Sequence, residues 1–159
     1  AALSPRADEE LIIEFCEDND MHPVIFEAYQ TVDGKRLPIY HTNVMMSIAE
    51  TFAIICVDSI DDKQERKLVV NQLKEDGKEL IYITEEQVNH FAGNMLQVEG
   101  KDSELYMVMS TQAFESLNNG QIKAIEKHCA ILHAPLYTIE ACGGGSARCM
   151  LAEVFLPKE

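Results

Sequence analysis

The hydrophobic period of this chain switches several times, and each switch marks an element. Leu11, Ile12 and Phe15 share a helical face, with Ser4 placed as N-cap and Pro5 at the first helical position, which predicts a helix over 4–17. PVIFEAYQ, residues 23–30, alternates as a strand does, and Asp33-Gly34-Lys35 follows as a turn. IYHTNVMMSIAE (39–50) and TFAIICVDSI (51–60) predict two adjacent strands. DDKQERKLVVNQLKEDGK (61–78) returns to helical spacing, with acids in its first turn, Lys74 near its end and Gly77 beyond it. ELIYIT (79–84) closes the unit as a strand.

The same order then recurs. NHFAGNMLQVEG (89–100) and ELYMVMS (104–110) predict a strand pair. TQAFESLNNGQIKAIEKHC (111–129) predicts a helix, interrupted near Asn118-Asn119-Gly120. ILHAPLYTI (131–139) predicts the next strand, and GGGSARCMLAEVFLP (143–157) ends in another that carries Cys149. The unit is strand, strand, helix, strand. Superposing the first strands, TNVMMSI, GNMLQV and RCMLAEV, sets Asn43, Asn94 and Cys149 at one position, 51 and 55 residues apart. A period near fifty with one such unit each predicts blades around a pseudo-symmetry axis. No linker or low-complexity tract divides the chain, so residues 1–159 read as one domain.

This spacing has a chemical consequence. His41 lies two residues before Asn43 and shares its face if both are on a strand. Cys149 holds the equivalent place in another blade, so an imidazole and a thiol far apart in sequence converge at the axis, as a base and a nucleophile do. Two readings of Cys149 stand side by side. A strand cysteine is commonly a small buried apolar residue. Yet Gly143, Gly144 and Gly145 strip side chains from its approach, as close contact with a ligand requires. Cys16, Cys56, Cys129 and Cys142 read as packing, and VMMSI and YMVM as core. His22, His90, His128 and His133 fall outside the register.

Composition narrows the class. Twenty-seven acids against 13 bases give a net charge of −14, which disfavours nucleic acid and anionic membranes as partners. Apolar runs are too short to span a bilayer, and no signal peptide is visible. Five cysteines without paired short spacing predict reduced thiols and a cytoplasmic setting. No CxxC or metal-ligand spacing is present, so no metal or cofactor is expected. The chain opens on Ala1-Ala2-Leu3 just before a helix, as if cut from a longer protein.

DGKRLPIYHTNVMM, FAGNMLQVEG and IEACGGGSARCMLAEVFL together resemble the amidinotransferase or guanidino-modifying superfamily, the pentein fold. The resemblance is closest to bacterial citrulline-utilisation hydrolases and arginine-deiminase-related proteins, and it runs nearly the whole chain. It implies an α/β propeller of five ββαβ blades with the active site in its central channel. The two to three units here would form a partial propeller, the C-terminal portion of a longer catalytic domain. It also implies Cys149 as nucleophile and His41 as general acid/base, with Asn43, Asn94, Gly144 and Gly145 as substrate-binding positions. The expected activity is a hydrolase or amidinotransferase acting on a guanidino or ureido group through a covalent cysteine intermediate. Arginine deiminases carry an Asp where this chain has Asn43, which brings a ureido compound such as citrulline into range. Competing readings are a non-catalytic pentein binding module, a fragment inactive without its N-terminal half, and a papain-like amidase, which would start a helix at its nucleophile. The exposed edges of a truncated propeller would favour a homo-oligomer.

Overall fold

The structure is a computed structural model and describes residues 1–153. β1 (Ala2–Leu3) pairs in parallel with β2 (Phe26–Glu27), with α1 (Glu9–Asp18) between them. The helix starts later than predicted. Asp8, not Ser4, is its N-cap, accepting from the N–H groups of Glu10 and Leu11 at 3.0 and 3.2 Å. A carboxylate there satisfies two orphan donors and meets the positive end of the helix dipole, while Ser4–Ala7 closes a small turn of its own. The predicted strand 23–30 is split between β2 and β3 (Tyr29–Val32). β3 forms an antiparallel hairpin with β4 (Lys35–Pro38). Asp33 (φ 49°) and Gly34 (φ 74°) turn it, both left-handed as a type I′ turn demands.

Two units of identical order follow. The first is β5 (Met46–Ile48), β6 (Phe52–Ile55), α2 (Lys63–Glu75) and β7 (Glu79–Tyr82). β6 lies centrally, antiparallel to β5 and parallel to β7. All four of its residues are fully buried, as in a strand covered on both faces. A short α3 (Glu85–Asn89) leads to the second unit: β8 (Leu96–Glu99), β9 (Leu105–Ser110), α4 (Thr111–Ser116), α5 (Asn119–Glu126) and β10 (Ala130–Ala134). β9 is central, again antiparallel to one neighbour and parallel to the other. The predicted ββαβ repeat is therefore present twice, and the helix break falls where Asn118 caps α5. The methionines of both units, Met45, Met95, Met107 and Met109, are core. Among the described residues, no helix is long and apolar enough to cross a membrane.

Several predicted strands are shorter than the pattern suggested, and local hydrogen bonds explain three of them. Thr42–Val44 is a 3₁₀ turn, with Val44 N–H donating to His41 C=O and Met45 N–H to Thr42 C=O. Those groups are spent within the turn, so His41 and Asn43 do not share a strand. Residues 90–94 turn likewise, with Phe91 left-handed at φ 64°. Ala147–Met150 is a 3₁₀ turn closed by Cys149 N–H on Ser146 C=O, so Cys149 is not on a strand. The remainder of that expected strand, residues 154–157, lies outside the described residues. β10 stops at Ala134, before Pro135 removes a ladder donor. Residues predicted to continue it form α6 (Tyr137–Gly143) instead.

The units are stitched by polar side chains and by one close backbone approach. Gln87 and Gln121 each complete a capping box on their own helix. They also exchange a reciprocal amide pair at 2.7 and 3.0 Å. Ser47 Oγ donates to Met95 C=O at 2.8 Å in the interior. His128 stacks on Phe52 and bonds Thr51 and Glu79 through its two ring nitrogens. At Gly93, a Cβ would sit 2.2 Å from Val44 O. Only glycine lets these backbones meet.

Gly93→Ala must displace backbone rather than a side chain, and it should cost about 1–3 kcal/mol. The check is a lowered denaturant midpoint at unchanged slope. Bonds from Lys127 and then His128 hold the Glu79 carboxyl below its ordinary value of 4.5. A depressed carboxyl stabilises the fold above its unfolded pKa and loses that contribution as pH falls through the folded one. Glu79→Gln should therefore flatten the loss of stability below pH 4.5, measured as Tm against pH.

Candidate active site

The loop after α6 is built to present a thiol. Gly144 ends the helix in the left-handed conformation, φ 65°, which its lack of a side chain permits. Its carbonyl accepts from the Tyr40 hydroxyl at 3.2 Å. Ser146, wholly buried, donates to the carboxylate of Glu140, itself 6% exposed, at 2.6 Å. That bond folds the loop back on α6, and Ser146 C=O then receives the Cys149 N–H at 3.0 Å. A Cβ on Gly145 would lie 3.2 Å from the Cys149 sulfur, so any side chain there would crowd the thiol. The Cys149 thiol is exposed.

Two other segments face this loop. His41 has extended backbone (φ −143°, ψ 136°) just before the 3₁₀ turn, and its exposed ring meets Tyr40 edge to face at 5.1 Å. Asn43 sits within that turn, and its side-chain oxygen is buried with no hydrogen-bond partner. Asn94, just before β8, is 3% exposed. Its amide nitrogen lies 3.2 Å from Cys149 Sγ and 3.4 Å from Asn43 C=O, and its oxygen accepts from Arg148 N–H at 3.0 Å. The three positions that the repeat superposes thus meet at one point.

One cavity of about 170 Å³ is lined by all six residues singled out in the sequence: His41, Asn43, Asn94, Gly144, Gly145 and Cys149. Sequence reasoning missed Gln30, Tyr40, Val44, Val88, Asn89 and Phe91, which line it too. The left-handed Phe91 left no sequence signal, whereas the capping box that places α3, and with it Asn89, was readable as Thr84-x-x-Gln87. The volume is small beside the roughly 300–1,000 Å³ of pockets for drug-sized ligands, and it suits a planar head group. Among the described residues its wall carries no Asp, Glu, Lys or Arg. A larger cavity of about 610 Å³, lined by Gln87, His90, Glu115 and Gln121 among others, holds no thiol. Burial pushes the Cys56 and Cys129 thiols up, in keeping with packing roles. Cys142, expected to pack, is instead exposed on α6.

The fold has relatives of known structure. ArgZ, an arginine dihydrolase from the ornithine-ammonia cycle in Cyanobacteria, superposes in its apo form with a TM-score of 0.67 at 14% identity. That match covers 94% of this chain and 21% of ArgZ. The ArgZ N-terminal domain, bound to product or, in a variant, covalently bonded to a reaction intermediate, gives 0.65 at 15% identity. Those matches cover 94% of this chain and 48% of that domain. This chain therefore spans about a fifth of ArgZ and about half of its N-terminal domain. At this identity the likeness establishes the fold alone. No curated protein sequence matches. The family model described as N,N dimethylarginine dimethylhydrolase, eukaryotic, matches residues 1–156. With nearly its whole length so matched, the chain belongs to the eukaryotic N,N dimethylarginine dimethylhydrolase family.

Proposed function

We propose that this chain supplies the nucleophile and the acid/base of a C–N hydrolase acting on the guanidino or ureido group of an arginine-like small molecule. The observation that carries this reading is the shared cavity: an exposed Cys149 and His41 line it together, although 108 residues (149 − 41) separate them in the chain. Membership of a dimethylarginine hydrolase family supports it, as does the likeness to an arginine dihydrolase domain held covalently to an intermediate. The two ββαβ units are read as adjacent blades of a pentein propeller, of which this chain forms the C-terminal part. A homo-oligomer and a cytoplasmic setting remain part of the proposal.

The chemistry follows from the two groups. The Cys149 thiolate adds to the planar central carbon, forming a C–S bond and pushing the π electrons onto a substituent nitrogen or oxygen. The adduct collapses by breaking the C–N bond to the departing amine, which takes a proton from the His41 imidazolium. Neutral His41 then accepts a proton from water as the water adds to the thioester-like carbon. The C–S bond breaks and sulfur leaves as thiolate. Because Cys149 is exposed, water reaches the intermediate, which favours hydrolysis over transfer to an amine. Asn43 offers a buried, unpartnered oxygen that can accept an N–H of either substrate type. Among the described residues the wall carries no carboxylate, which favours a neutral ureido group over a guanidinium, whose charge would go unpaired there.

Cys149→Ser should abolish covalent labelling by chloroacetamidine at this site and reduce turnover by roughly four orders of magnitude or more. Turnover retained by that variant refutes the nucleophile. His41→Gln should lower kcat roughly 10²–10⁴-fold and remove a limb of the pH–rate profile. Assay of the full protein for ammonia, dimethylamine, ornithine and citrulline, with citrulline, arginine and methylated arginines as substrates, identifies the bond broken. No product from any of them refutes the reading.

A further inference from the structure

The proposed reaction needs a thiolate, yet the chain has a net charge of −14 and, among the described residues, no Lys or Arg lines the cavity. We infer that Asn94 is the group that holds the Cys149 sulfur in its ionised form, acting on the nucleophile rather than on the substrate. This rests on Cys149 being the nucleophile.

The orientation of the Asn94 amide is fixed by chemistry. Arg148 N–H can only donate, and it lies 3.0 Å from one terminal atom of the amide, so that atom is the oxygen. The NH₂ group therefore faces the sulfur at 3.2 Å. Its second hydrogen has the Asn43 carbonyl at 3.4 Å. These two contacts engage both hydrogens of the amide, so its donor end has none left for a ligand. Nor is the donor free to swing away: Asn94 is 3% exposed, and its N–H closes the turn on Phe91 C=O at 2.9 Å. A fixed N–H donor stabilises sulfur more strongly as thiolate than as thiol.

Among the described residues, the Asn94 amide is the side-chain donor on that sulfur. Among the described residues lining the cavity, only Tyr40 and His41 are ionisable besides Cys149 itself, and both come from the segment before the 3₁₀ turn. From its own loop the sulfur meets Gly145, which brings no charge. The Arg148 guanidinium is directed to Glu153, at 4.0 Å. His41, exposed and with no hydrogen bond to its ring among the described residues, is left free to carry protons between substrate and water. One group sets the charge on sulfur and the other moves the proton.

The test is alkylation of the whole chain by iodoacetamide between about pH 5 and pH 10, followed at each cysteine by peptide mass. Cys142, also exposed, serves as internal reference. Asn94→Asp keeps the shape and turns a carboxylate oxygen toward sulfur. It should slow Cys149 alkylation at neutral pH about tenfold and move its inflection up by about one pH unit or more. Asn94→Ala should move it in the same direction by less, and Cys142 should be unchanged in both. If Asn94→Asp does not fold, Asn94→Ala carries the comparison alone. Profiles for Cys149 that overlay the wild type in a folded variant overturn the inference. That includes the case where turnover falls through KM only, which would return Asn94 to substrate binding. Because iodoacetamide is not substrate-like, a chain that alkylates as expected but turns over no guanidino or ureido compound refutes the proposed function and leaves standing only the effect of Asn94 on the Cys149 sulfur.

Discussion

The close approach of the turn at 91–94 to the backbone at 44–45 is the constraint on which the rest of this molecule depends. Gly93 meets Val44 with no room for a methyl group, and that contact sets the two ββαβ units at one distance. Everything chemical then follows within a few ångströms of it. Asn94, the next residue, reaches back to Asn43 C=O and across to Cys149 Sγ. The polar stitches around the seam, Ser47 to Met95 and Gln87 to Gln121, keep the orientation that the glycine contact permits. Packing and site are thus one piece of structure.

The sequence was legible where its signal was periodic. The ββαβ repeat could be read because strand and helix patterns recur at near-constant spacing. The convergence of Asn43, Asn94 and Cys149 could be read because equivalent ends of equivalent strands must face a common centre. What could not be read is the local backbone form of the site residues. His41, Asn43, Asn94 and Cys149 belong to 3₁₀ or tight turns, where local N–H to C=O bonds displace ladder bonds without altering the apolar pattern. α6 was hidden for a similar reason. Tyr137, Thr138 and Ile139 favour strands one by one, but Pro135 ends the ladder and the chain then satisfies itself as a helix. The late start of α1 shows the choice between two caps: a serine and an aspartate both fit, and only the aspartate has two amides in line.

The cysteines separate by environment rather than by sequence motif. Cys56 and Cys129 lie in apolar surroundings that oppose ionisation. Cys149 stands at the surface with an amide donor on its sulfur. Cys142 shares its exposure but is not among the residues that line the cavity beside Cys149. Glycine on one side and an asparagine on the other make the difference, and neither is a charged residue.

The distribution of charge separates capture from chemistry. The acids that give the chain its net −14 stand away from the cavity wall, among the described residues, so their field acts from a distance through solvent. Such a field draws any cation toward the molecule and fades over a Debye length of about 8 Å at physiological salt. A positively charged compound would then arrive faster than diffusion alone allows, and this advantage would vanish in brine. An uncharged one would arrive at a rate that ignores ionic strength. Net charge thus sorts compounds by their rate of encounter with the molecule, and the uncharged cavity wall sorts them afterwards by fit.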